Sequence, residues 1–137
     1  MNTRDAAVSF VCASAMAVAA SVLLRLAHHP GAWSRMDQLA DLAVSDFCFY
    51  IFVPAIVLAM LARRRVPSTA TALAVSIGWL ALLVAVRAAH PIRFYGELPW
   101  WMLRRDFLEF LPIPLALALA FSLATRPGSR SKTSRAV

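Results

Sequence analysis

Four long apolar runs constrain this chain more than anything else in it. They cover residues 6–24, 42–62, 68–86 and 107–125, so each contains 19 to 21 residues. At about 1.5 Å of rise per residue, a helix of that length reaches roughly 28–31 Å, the thickness of a bilayer's hydrocarbon core. In lipid, only helices and closed barrels satisfy every backbone N–H and C=O, and these runs lack the alternation of barrel strands. The expected fold is all-α, an integral-membrane four-helix bundle over residues 1–125, with helices near 6–27, 42–62, 68–88 and 106–125. Composition agrees, with 61% hydrophobic and 15% charged residues, against the roughly 25% charge of a soluble domain.

The first run follows a basic start, as a signal peptide would. It continues through Val22, Leu23 and Leu24, well past the roughly 7–15 apolar residues of a signal-peptide centre, and reads as a retained span. Cys12 and Cys48 sit inside apolar runs near opposite ends of an antiparallel hairpin, too far apart for a disulfide. Both read as packing residues.

The net charge of +7 is unevenly placed. With the N-terminus in the cytoplasm, the inner segments hold Arg4, Arg63, Arg64, Arg65, Arg126, Arg130, Lys132 and Arg135 against Asp5 alone. The outer segments balance six arginines with six acids. Short basic loops orient membrane proteins, so the expected topology has both termini cytoplasmic. Ala- and Arg-rich usage fits a bacterial inner (cytoplasmic) membrane. Residues 126–137, a polar and basic stretch with little apolar surface, read as a disordered cytoplasmic tail that favours anionic headgroups over nucleic acid.

Two segments resemble each other. Arg25 and His28 close the first run, and Arg87 and His90 close the third. Each pair precedes a loop, an Asp-Phe pair opening the next helix (Asp46, Asp106) and a proline eight residues beyond that Asp (Pro54, Pro114). Two tandem hairpins in parallel repeat would produce this pattern. So would unrelated helices that end in similar interfacial residues, because Asp, Phe and Pro are the only identities between 46–62 and 106–122.

Geometry is common to both explanations. Arg25 with His28, Arg87 with His90, and Asp106 with Glu109 each share a helix face. Asp46 falls about one turn inside its apolar run, where an unpaired carboxylate costs on the order of 2–3 kcal/mol, so it needs Arg25 or Arg87 as a partner. Pro54 and Pro114 each remove a backbone donor, bending the helix and freeing the carbonyl of Tyr50 or Phe110. Pro30 and Pro91 are expected to stop their helices.

Arg25, His28, Asp46, Arg87, His90, Asp106 and Glu109 are therefore the candidate binding residues. They act either as paired interfacial charges that fix helix depth, or as a cluster holding an anion or a lipid headgroup. Trp33, Tyr95, Trp100 and Trp101 read as an aromatic belt. The segment 90–105 reads as a short interfacial piece broken by Gly96 and Pro99. The histidine spacing matches no H-x-x-x-H or E-x-x-H arrangement, so no metal, haem or other cofactor is assigned, and no nucleophile motif marks a catalytic residue. The functional expectation is transport or lipid handling, with membrane lipids and a second copy or another membrane protein as partners. A non-catalytic accessory subunit is the alternative, followed by an enzyme acting on a lipid-linked substrate.

The topology is open to a direct check. Cysteines introduced as Ser68→Cys and Gly96→Cys should react with an impermeant thiol reagent from opposite sides of the membrane, Gly96→Cys from outside. Labelling of Gly96→Cys only from the cytoplasm reverses the orientation.

Overall fold

The computed structural model describes residues 2–28, 31, 35–97 and 100–126, with backbone alone for residues 90, 91 and 95. The described residues form an all-α four-helix bundle and contain no strand. Four helical spans are long and apolar enough to cross a membrane, which makes this a multi-pass membrane protein. α1 (Thr3–His28) is the first span. α2 (Met36–Asp46), a π-helical turn (Phe47–Ile51) and α3 (Phe52–Arg64) form the second. α4 (Thr69–Tyr95) is the third, and α5 (Trp100–Phe110) with α6 (Pro112–Ala124) makes the fourth. The helices run past the apolar segments because their outer turns carry polar residues, such as Asp37 in α2 and Arg104 in α5.

Hydrophobic patterning alone cannot hold such helices together, since lipid tails are as apolar as leucine. Close van der Waals contact between small residues does that instead. α1 buries Ala6, Ser9, Ala13, Ser14, Ala17 and Ser21, all small, before its first large buried residue at Leu26. The bulk comes from its neighbours, with Ile51 and Leu58 from the second span and Ile113, Leu117 and Phe121 from α6, all fully buried. Those positions recur every three or four residues, which places them on one helix face. A flat Ala/Ser surface on α1 thus receives the large side chains of α6 and α3.

Ser68 caps α4, accepting a hydrogen bond from the Thr71 N–H at 3.1 Å, which satisfies one of the helix's free donors. The other end stops at Gly96, which has φ 70° and donates its N–H to the Ile92 carbonyl at 2.9 Å. A side chain is strained in that left-handed conformation, so glycine is the natural stop. Pro91 does not end the helix as expected. It lies in the last turns, where its missing N–H costs a single bond, and the helix continues four residues further to Tyr95. The expected separate interfacial piece also resolves differently, into the end of α4 and the start of α5. Pro30 and Pro99, with the tail beyond Arg126, lie outside the described residues.

Both internal prolines coincide with breaks. The fourth span is interrupted at Leu111, beside Pro112 and Pro114. In the second span the break takes the form of the π-helical turn, where the Phe52 N–H bonds the Phe47 carbonyl five residues back. At this turn the Trp79 indole N–H of α4 donates to the Phe49 carbonyl at 2.7 Å. A backbone carbonyl of one span is therefore bonded by a side chain of another, in a setting without water to do it.

Trp79→Phe removes this donor and should lower stability in detergent by about 1 kcal/mol. Unchanged stability, measured by thermal unfolding, would show that the indole bond does not tie the two spans.

Candidate functional site

Arg25 sits in the last turn of α1, with Ser21 one turn before it and His28 one turn after, a stripe along a single face. α2 delivers Asp46 opposite them. Arg25 grips the carboxylate with two bonds, Nε to Oδ2 at 2.8 Å and Nη2 to Oδ1 at 2.7 Å. The Ser21 hydroxyl donates to the same Oδ2. Asp46 is only 2% exposed and its partner 24% exposed, so the pair is largely removed from solvent. The fork geometry of guanidinium on carboxylate, with a third donor, gives Asp46 the satisfaction a buried charge requires.

Aromatic rings support this pair. The Arg25 guanidinium carbon lies 5.7 Å from the Phe110 ring centroid, a cation–π contact. Phe110 in turn stacks on Tyr50, with centroids 4.8 Å apart and planes 13° from parallel. Tyr50 follows Asp46 by one turn.

The second Arg–Asp pair is weaker. Arg87 Nη1 lies 3.8 Å from Asp106 Oδ2, and Arg105 Nη2 lies 3.8 Å from Asp106 Oδ1. Arg87 is 65% exposed against 14% for Asp106. Each arginine thus contacts the Asp of the span that follows it, and Asp46 meets Arg25 rather than Arg87. Residues sixty apart, Tyr50 and Phe110, stack directly on one another, as like positions of two hairpins would about a shared axis. The likeness fails at Ser21, whose counterpart sixty-two residues on is Leu83. Leucine has no donor to offer Asp106, which is a physical reason for one tight pair and one loose one.

Arg87 opens onto a cleft of about 490 Å³ between the second and third spans. Arg25, Asp46, Tyr50 and Phe110 lie on its polar side, and Phe49 and Val86 form apolar walls. Phe49 and Val86 are 59% and 64% exposed, so these walls face the lipid. On the far side of Phe110, His28 and Glu109 line a cavity of about 10 Å³ with Arg25 and Asp46, the size of a single water. His28 is exposed, and its Nδ1 lies 2.8 Å from the Leu24 carbonyl of its own helix.

Of the belt residues, Trp100 and Trp101 are 72% and 70% exposed, and the Arg105 guanidinium lies 5.9 Å from the Trp101 ring. Trp33, with the side chains of His90 and Tyr95, lies outside the described residues. Among the described residues, no three His, Cys, Asp or Glu side chains gather as a metal site. Ser21 escaped the sequence reading, which named Tyr50 and Phe110 for their carbonyls and missed the stacking of their rings. Ser21 had a visible signal, being a polar residue one turn from Arg25 on the same face.

Arg25→Gln or Asp46→Asn strands the other member of a desolvated pair and should cost roughly 3–5 kcal/mol. The double variant should cost much less than the sum. Arg87→Gln, at an exposed and loose contact, should cost under about 1 kcal/mol. Thermal or denaturant unfolding in detergent tests all four, and simple additivity of Arg25→Gln with Asp46→Asn would show that the pair is not coupled.

No family model, curated protein or solved structure matches this chain, so what the cluster does is argued from its own chemistry.

Proposed function

We propose that the protein handles anionic amphiphiles, receiving a lipid-borne phosphate or carboxylate in the cleft at Arg87. The observation that carries this reading is the inequality of the two arginines. Arg25 is saturated by Asp46, whereas Arg87 is mostly exposed and meets Asp106 only at 3.8 Å. A guanidinium that keeps most of its donors free can bind an anion bidentately without giving up a strong bond. The cleft's chemistry matches an amphiphile, since a cation stands at its polar side and lipid-facing Phe49 and Val86 at the other. In the orientation read from the basic loops, this end lies at the outer leaflet of a bacterial inner membrane, and the activity is transport or lipid handling there.

The accessory-subunit reading retains one specific support. The third span has only 22% of its apolar window buried inside the bundle, the least of the four, leaving surface for a second copy or a partner membrane protein. On that reading both arginines are scaffold and Arg87 is dispensable for binding.

Equilibrium binding of an acyl-labelled phosphatidylglycerol to the purified protein in neutral detergent separates the two. Phosphatidylglycerol should bind more tightly than acyl-labelled phosphatidylcholine, and Arg87→Gln should weaken it about tenfold, equivalent to roughly 1.4 kcal/mol. Arg87→Lys, which keeps charge but loses the fork, should fall between them. Equal affinity for both lipids, unchanged in Arg87→Gln, would overturn the proposal and favour the scaffold.

A further inference from the structure

The outer half of α4 has a second cleft on its other flank. Successive residues on an α-helix turn about 100°, so Ala81, Val84 and Ala85 point nearly opposite to Leu83, Val86 and Arg87, which line the cleft described above. α5 faces the first group with Trp100, Leu103, Arg104, Phe107 and Leu108, spaced as one helix stripe. Two matched stripes of this kind ordinarily close on each other. Here they leave a groove of about 490 Å³, within the roughly 300–1,000 Å³ usual for ligand sites. Ala81 and Ala85 remain exposed because their small side chains do not reach α5.

The groove is apolar along its length and cationic at one place. Its neighbour Arg105 leans over Trp101 and contacts Asp106. Arg104 makes no hydrogen bond or ion pair among the described residues. It lies one turn from Trp100, whose exposed indole is of the kind that settles at headgroup level. The interfacial indole of Trp100 and the free cation of Arg104, one turn further in, stand together at the polar end of the apolar trough, as a headgroup stands on its acyl chain. We infer that this groove is a binding site for one anionic phospholipid, with an acyl chain against Ala81 and Ala85 and the phosphate on Arg104. The site is separate from the Arg87 cleft and does not depend on it. A second copy of the chain is the poorer occupant, since its outer segments balance six arginines with six acids and bring no surplus of negative charge to Arg104.

Quenching of tryptophan fluorescence by lipids brominated on the acyl chain tests the site, because Trp100 borders the groove. The full chain is reconstituted in phosphatidylcholine vesicles into which brominated phosphatidylglycerol, or brominated phosphatidylcholine, is titrated. Brominated phosphatidylglycerol should reach half-maximal quenching at a several-fold lower mole fraction. Arg104→Gln should abolish that preference, and Ala85→Phe, which fills the groove, should reduce quenching by both lipids. Arg87→Gln should leave the preference intact, so failure of the cleft reading and failure of this one are distinguishable. Arg104→Gln changes an exposed side chain with no partner and keeps the test valid if Ala85→Phe does not fold. Equal quenching by the two lipids, or a preference that survives Arg104→Gln, overturns the inference. So does efficient disulfide dimerisation in the vesicles of an Ala85→Cys variant whose free Cys12 and Cys48 are replaced by Ala, which would place a second copy in the groove.

Discussion

The bidentate bond between Arg25 and Asp46 sets the geometry of everything at that end of the bundle. A carboxylate that is 2% exposed inside a membrane-length span persists as an anion only if its lone pairs are filled. Arg25 and Ser21 fill them from one face of α1. That requirement fixes the rotation and depth of α1 against α2. It also brings the guanidinium over Phe110, so that the fourth span is registered on the first through a ring. Such a pair contributes less to net stability than its bonds imply, because both charges had to be desolvated. Its value lies in exclusivity, since any other register of α1 on α2 would leave Asp46 unsatisfied in hydrocarbon.

A second constraint follows from the prolines. Pro54 follows Asp46 by eight residues, and the five-residue turn between them widens the helix by one register. This turn carries Tyr50 onto Phe110 and turns Phe49 so that its carbonyl meets Trp79. The third span is therefore tied to the second by a hydrogen bond from the Trp79 indole to a backbone carbonyl of that turn. Polar groups in a lipid-embedded bundle are few, and here one of them positions a neighbouring helix.

Much of this was legible in the chain. Apolar runs of membrane length dictated four spans, and Asp46 inside one of them dictated an arginine partner. Neither inference needs tertiary information, because lipid forbids unpaired backbone and unpaired charge. Which arginine would serve was not legible, since Arg25 and Arg87 occupy equivalent places in the sequence. The choice rests on helix neighbours and on Ser21, a residue too common in α1 to stand out. Pro91 misled for a different reason. A proline ends a helix when nothing beyond it sustains the next turn, but Gly96 supplies a better stop four residues after that turn begins. Trp100 and Trp101 were read as belt anchors and are exposed. The groove beside them was invisible because it depends on how far apart α4 and α5 sit.

The two ends of the sequence likeness, Arg25 with Asp46 and Arg87 with Asp106, acquire meaning from their difference. Were both pairs as tight as the first, the bundle would hold two saturated ion pairs and no free cation facing the cleft. Were both as loose as the second, Asp46 would be stranded at its depth. Replacing a serine by a leucine one turn before the arginine takes away a donor from one carboxylate and leaves the other fully held. The same local arrangement is thereby divided into a structural half and an available half. Tyr50 and Phe110 lie between them in direct contact, so displacement of Arg87 or Arg25 on one side of the stack bears on rings that support the other. The exposed, loosely paired Arg87 guanidinium thus stands at a cleft backed by a buried ion pair and a ring stack, neither of which takes up its charge.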